Sequence, residues 1–267
     1  MIKKKQHYVG REYLRPWSNK EQIFCIRNNR IFKSNLTGIA QENYFYEIQD
    51  LSQEEILLIK KLAIESSSEL MKESYLSFLN NYLRVFQYEN NFKHMINKEN
   101  KDSVEHMFKK IKINYAEDYH AMVENIGNKY LYLIRESNIN FFSDDKEDRI
   151  AFLFFVTLQY MRTKRRRNET IRAFENDNIG MQKIWPIMAH IYATNIAMSL
   201  HLDKAYQLIL LTNNTNIKFI TADQPLINTY GVNNKKELTQ NELEFYYPIT
   251  PKLSILITRD IQNVKIL

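Results

Sequence analysis

The sequence predicts an α+β protein that is predominantly helical, with a helical body packed on an antiparallel sheet built from N- and C-terminal strands. Three observations predict it. Between residues 51 and 204, apolar residues recur at helical spacing. Short runs rich in aromatic and β-branched residues lie only before and after that stretch. Finally, 5 Gly and 5 Pro in 267 residues are too few for a barrel or sandwich made of many tight turns.

The elements follow in order. After an N-terminal motif over 6–17, a hairpin is predicted from strands over 22–26 and 30–33. Asn28 and Asn29 form its turn, because Asn tolerates the left-handed backbone such turns need. The aromatic alternation of 43–48 predicts a third strand. Ser52, followed three residues later by Glu55, is a capping box that starts a helix. Leu70, Tyr75, Leu79 and Leu83 predict a helix over 67–86. Another is predicted over 104–134, with a break near Asn114 or at Gly127. Ser143, Asp144 and Asp145 begin a further helix that is apolar nearly all round. It should be the central, buried one, with Phe152, Phe155, Val156 and Tyr160 in the core. A last helix is predicted over 183–203, with Pro186 in its first turn. Strands are predicted over 206–211, 217–221, 244–248 and 253–258. No linker interrupts the chain, so one domain over 1–267 is expected: motif and hairpin in 1–50, helical body in 51–204, strands in 205–260.

Composition bounds the function. Cys25 is the only cysteine, which excludes an intramolecular disulfide and a cysteine-based zinc site. The N-terminus is basic without an apolar stretch after it, so it does not read as a signal peptide. The most apolar segment, 150–161, is too short to span a bilayer and contains Gln159. A cytoplasmic location and no membrane partner are expected. The formal net charge is +6. Lys3, Lys4 and Lys5 form one cationic cluster; Arg162, Lys164, Arg165, Arg166 and Arg167 form another. Such clusters attract nucleic acid, and equally they complement a helix end.

No phosphate loop, serine elbow, zinc-binding helix motif or EF-hand loop is present. The candidates are therefore scattered polar residues. His7 stands beside Arg11 and Arg15, where an imidazole could serve as a general base with cations for a phosphate; it could equally be a hydrogen-bonded core histidine. Glu117, His120 and Glu124 lie at i, i+3 and i+7, on one helix face, where carboxylates and imidazole can hold a divalent metal. Gln159 and Arg162 stand on the most apolar helix and must be paired if buried; Glu124 or a substrate phosphate is the natural partner of Arg162. Asp223 follows an apolar run, at a position suited to a catalytic acid or to an Asx turn before Pro225.

Taken in order, His7-Tyr8-Val9, Tyr13-Leu14-Arg15, Glu117, Glu124, Leu158-Gln159, Arg162-Thr163, Thr221, Asp223, Pro225 and Pro248-Ile249-Thr250-Pro251 resemble the pattern of a bacterial family called domain of unknown function 4238. The resemblance spans nearly the whole chain. Gly10 stands where the pattern has Pro, Trp17 where it has Phe, and Ala222 where it has Ser. His120 is outside the pattern. Family members continue past the last strand, so this chain is expected to be short at its C-terminus. The resemblance brings no reaction with it; it implies a role in anti-phage defence.

The functional expectation combines these readings. His7, Glu117, Glu124, Gln159, Arg162 and Asp223 would form the catalytic group of a metal-dependent nuclease. Glu124 and Asp223 would hold Mg²⁺ or Mn²⁺, while Arg11, Arg15, Lys164, Arg165 and Arg166 would bind nucleic acid. The alternative is a non-enzymatic sensor or toxin module that binds a phage component or a partner protein, with the same residues forming a buried polar network.

Overall fold

The computed structural model describes residues 1–65, 67–97, 99–144, 146–175, 180–233 and 243–260. In chain order the elements are β1 (Lys5–His7), α1 (Arg11–Leu14), β2 (Gln22–Arg27), β3 (Arg30–Asn35), β4 (Gln41–Asn43), α2 (Gln53–Ile59), α3 (Glu69–Lys93), α4 (Lys101–Arg135), α5 (Phe141–Asp144), α6 (Lys146–Met161), α7 (Lys164–Ala173), α8 (Met181–Leu202), β5 (Gln207–Thr212), β6 (Ile227–Asn228), α9 (Thr229–Asn233), β7 (Phe245–Pro248) and β8 (Leu253–Thr258). The class is α+β and mostly helical, with strands near both ends of the chain. Among the described residues no helix is long and apolar enough to cross a membrane.

The strands of the two ends do not share one sheet. β1 pairs with β4, β2 pairs with β3, and a separate sheet has the order β5-β8-β7-β6. The hairpin closes locally through Asn28 and Asn29, at φ 50° and 58°, so its strands meet at little loop entropy. In the C-terminal sheet β8 is central, antiparallel to both β5 and β7. The predicted strand over 217–221 is not a strand. Its backbone is held instead by the Trp17 indole donating to the Phe219 carbonyl at 3.0 Å and by the Phe219 N–H donating to the Pro251 carbonyl at 3.0 Å. The predicted strand over 43–48 ends at Asn43, because Tyr44 takes φ 57° and the chain turns there.

The helical readings fare better. Both bonds of the capping box form: the Glu55 N–H donates to Ser52 Oγ at 3.2 Å, and the Ser52 N–H to the Glu55 carboxylate at 2.8 Å. α4 runs unbroken through both positions where a break was predicted. Asn114 spends its amide at a distance, accepting from the Lys3 N–H at 2.9 Å and donating to the Met1 carbonyl at 3.0 Å. It therefore does not compete with its own helix. Gly127 is kept small by a neighbour: a Cβ there would lie 2.1 Å from Cδ2 of the Phe155 ring. Phe152, Phe155, Val156 and Tyr160 are all buried, as predicted. The acids placed before α6 fall partly on Asp145, outside the described residues; the described first turn carries Glu147 and Asp148. α8 starts at Met181, which puts Pro186 inside the helix rather than in its first turn.

The chain divides into two compact units, each drawn from three stretches. The first contains Met1–Gln6, Glu42–Met122 and Arg166–Tyr192; the second contains His7–Gln41, Val123–Arg165 and Ala193–Leu267. In the first, the fully buried Gln6 side chain donates to the Ile113 carbonyl and accepts from the Tyr46 N–H, both at 2.6 Å. The second holds α6, the hairpin and the C-terminal sheet.

Candidate functional site

The end of α6 sets the site. Gln159 in the last turn of α6 and Arg162 just past its end sit three residues apart, and both are buried. A buried guanidinium left alone would be strongly destabilising. Arg162 instead donates through Nη2 to Gln159 Oε1 at 2.7 Å and to Glu124 Oε1 of α4. Gln159 Nε2 in turn donates to the Tyr8 carbonyl at 2.8 Å. The Glu124 side chain is 27% exposed and that of Arg162 only 3%. The Glu124 side chain thus meets a buried cation while remaining partly exposed.

The N-terminal motif covers this pair. The Tyr8 N–H donates to the Ala40 carbonyl at 3.0 Å, fixing the strand that brings Gly10 up to Glu124. A Cβ on Gly10 would lie 3.1 Å from Glu124 Cδ, Oε1 and Oε2 alike, so Gly10 stands over the flat face of the carboxylate. His7 is close enough to feel Glu124, Arg11 and Arg162. Burial, the largest influence, lowers the His7 pKa; Glu124 and a backbone bond at Leu36 oppose it, while the two arginines reinforce it. The balance favours a neutral imidazole at neutral pH.

A second layer joins the same unit. The Tyr13 hydroxyl donates to the Pro248 carbonyl at 2.7 Å and lies 2.6 Å from the Thr221 hydroxyl. Its ring stacks on Tyr247, with centroids 4.8 Å apart. Tyr247 is fully buried, and its hydroxyl has no hydrogen-bond partner among the described residues. Burial pushes its pKa well up; the charges it feels are Arg162, Glu124 and Arg135. Thr163, next to Arg162, hydrogen-bonds the buried Gln224, whose Nε2 reaches the Leu226 carbonyl at 3.0 Å. Stretches far apart in sequence therefore meet in one unit.

The predicted residues divide accordingly. His7, Glu124, Gln159 and Arg162 come together, and of the two partners expected for Arg162, a carboxylate such as Glu124 or a substrate phosphate, it meets Glu124. Glu117 shares α4 with Glu124 and is half-buried in the first unit. Asp223 lies between the buried-side anchors Thr221 and Gln224 and is itself exposed. It has no hydrogen bond or ion pair among the described residues that ties it to Glu124. Among those residues no group of three His, Cys, Asp or Glu could hold a metal ion. His120 is buried against Tyr46 in the first unit, with ring centroids 4.2 Å apart. Of the predicted nucleic-acid contacts, Arg15 pairs with Glu12 and Glu21, Arg11 with Glu21 at 3.7 Å, and Arg166 with Glu169 at 3.3 Å. Lys164 and Arg165 are exposed. Gly10, Tyr13, Tyr247 and Gln224 belong to the site without having been singled out. Tyr13 carried a signal, since it stands in the N-terminal motif; Tyr247 carried none beyond its place in a strand.

The family model described as "Protein of unknown function (DUF4238)" matches residues 5–266. No curated protein and no solved structure matches the chain.

Proposed function

We propose that this chain, which belongs to the DUF4238 family, is a phosphodiesterase directed at nucleic acid that acts in the cytoplasm as an effector of anti-phage defence. One observation carries the reading: His7, Gln159 and Arg162 gather at Glu124, whose side chain is partly exposed. Neutral His7 is suited to take a proton from an attacking water. Glu124 beside it favours the imidazolium that results, since it raises the His7 pKa. Arg162 locks the Glu124 rotamer from the buried side and places positive potential behind the position where phosphoryl charge would build. Gln159 fixes Arg162 and ties it to Tyr8.

Because Arg162 engages Oε1, Glu124 offers a metal its other carboxylate oxygen. The described residues hold no three-ligand cage, but Mg²⁺ is commonly held by one or two carboxylates together with substrate phosphates. Mg²⁺ or Mn²⁺ bound there would supply charge neutralisation at the phosphate.

Incubating the purified protein with DNA, RNA and tRNA, with Mg²⁺, with Mn²⁺ and with a chelator, tests the reading. Cleavage by wild type that Glu124→Gln abolishes while the variant keeps a native circular-dichroism spectrum is the expected result; its melting temperature should fall because the buried Arg162 loses its anionic partner. A second reading is favoured by the closure of the Tyr8–Gln159–Arg162–Glu124 chain: a non-enzymatic sensor or toxin module whose polar residues hold a binding surface together. That reading predicts no cleavage under any condition, with defence and melting temperature falling together in Glu124→Gln.

A further inference from the structure

We infer that the β2–β3 hairpin is a duplex-DNA-binding arm whose tip enters the minor groove, an inference that rests on the nucleic-acid reading above. The tip runs Ile26-Arg27-Asn28-Asn29-Arg30-Ile31, and all six residues are exposed. Ile26 and Ile31 stand directly opposite each other across the two strands, and Phe24 opposite Lys33. These positions alternate with the others along each strand, so Phe24, Ile26, Ile31 and Lys33 share one face of the ribbon. On that face Phe24 is 72% exposed, Ile26 75% and Ile31 73%. Three large apolar side chains this open, in one cluster, form a surface that calls for a partner.

Charge selects the partner. From Gln22 to Asn35 the hairpin contains Arg27, Arg30 and Lys33 and no acid. None of the three forms an ion pair among the described residues, in contrast to Arg11 and Arg15 of the neighbouring motif. Arg27 lies over the Phe32 ring at 5.7 Å and Lys33 over Phe24 at 5.8 Å, so the cations flank apolar surface instead of being neutralised. A cationic, acid-free ribbon is complementary to a polyanion. Arg and Asn at the turn with an aliphatic pair behind them is the chemistry of minor-groove arms: the polar residues read the groove, and the apolar wedge partly unstacks a base step. Single-stranded nucleic acid is the poorer fit, since its binding relies on aromatic platforms and the tip offers isoleucines. Each strand of six residues is about 20 Å long at about 3.3 Å per residue, long enough to lie along a groove.

The test is fluorescence anisotropy of the full chain on a labelled 20-base-pair duplex between 50 and 200 mM salt, with matched single-stranded DNA and anionic phosphatidylserine vesicles in parallel. Two double variants are used: Arg27→Ala with Arg30→Ala, and Ile26→Ser with Ile31→Ser. Both sets of side chains are exposed, and unchanged melting temperatures confirm folding. The arginine variant should flatten the plot of log affinity against log salt by about 1.8, since two cations that displace counterions in the groove are lost at about 0.9 each. The isoleucine variant should keep the wild-type slope while losing affinity and duplex bending, read by energy transfer between end labels. If wild type binds the duplex and both variants bind it equally well, the hairpin assignment is overturned and the nucleic-acid reading survives. If wild type binds vesicles or single strands in preference to the duplex, the assignment is also overturned. If it neither binds nor cleaves any nucleic acid, both fall.

Discussion

Gly127 lies in the interior of α4, where glycine normally weakens a helix by about 1 kcal/mol relative to alanine. On propensity alone, Gly127→Ala should stabilise the protein. The packing reverses the sign. A Cβ at this position would lie 2.1, 2.3 and 2.4 Å from Cδ2, Cγ and Cε2 of the Phe155 ring. Ordinary contact begins near 3.4 Å, so the ring or the helix must move by more than 1 Å. Phe155 is 4% exposed and cannot swing into solvent. Overpacking of a close-packed core costs about 1–3 kcal/mol, and a conflict with a rigid ring belongs at the upper end. Set against the helical gain, the net expected loss is about 2 kcal/mol. Urea unfolding of wild type and Gly127→Ala measures it as a shift in midpoint at constant slope. The double variant Gly127→Ala with Phe155→Leu should recover part of the loss, because the smaller side chain vacates the position the methyl needs. A more stable Gly127→Ala protein, or a double variant whose losses simply add, would refute the contact.

Phe155→Ala should lose about 3–5 kcal/mol in urea unfolding, as deletion of a buried ring leaves a cavity. Tyr13→Phe should lose about 1–3 kcal/mol, because the Pro248 carbonyl is left without its 2.7 Å donor. His190 stacks on Phe78 at 3.8 Å and hydrogen-bonds the Tyr119 hydroxyl at 2.7 Å, and burial lowers its pKa to about 4. The unfolded chain takes up that proton near pH 6.5, so this contribution is complete above pH 6.5 and is lost as pH falls towards 4. The loss is at most about 3 kcal/mol, and His190→Gln should flatten the stability profile in that window.

What the sequence made legible was whatever short-range chemistry decides. Ser52 and Glu55 are three residues apart and close on each other whatever surrounds them. The Asn28–Asn29 turn pairs neighbouring strands. Glu124 was one of two partners legible for Arg162, and for a different reason: a buried cation beside an apolar helix requires an anion, which a carboxylate or a substrate phosphate can supply. What failed depends on distant parts of the chain. The stretch over 217–221 has the composition of a strand, yet its backbone partners are Trp17 and Pro251, and no local pattern announces them. The expectation of a single sheet failed in the same way, since alternation identifies strands without identifying their neighbours.

Tyr247 gives the sharpest separation between a structural and a functional account of the site. Its ring is fully buried and stacked on Tyr13, while its hydroxyl has no partner among the described residues. A buried hydroxyl without a hydrogen bond is unfavourable by about 1–3 kcal/mol. The pairs around it do not need that hydroxyl: Arg162 is met by Glu124 and Gln159, and Tyr13 by Pro248 and Thr221. Tyr247→Phe keeps the ring and its stacking and removes only the oxygen, so it should leave stability unchanged or raise it by about 1 kcal/mol. If the residue only fills the core, function should be unaffected. If the hydroxyl serves the reaction or a ligand beside Glu124 and Arg162, the same variant should lose cleavage or defence while becoming no less stable, the pattern expected where a site retains strain for its task. Thermal unfolding and nucleic-acid cleavage measured on one preparation decide between them. A Tyr247→Phe protein that is less stable by more than about 1 kcal/mol would show that the hydroxyl has a partner in solution, and the argument from an unsatisfied group would fail.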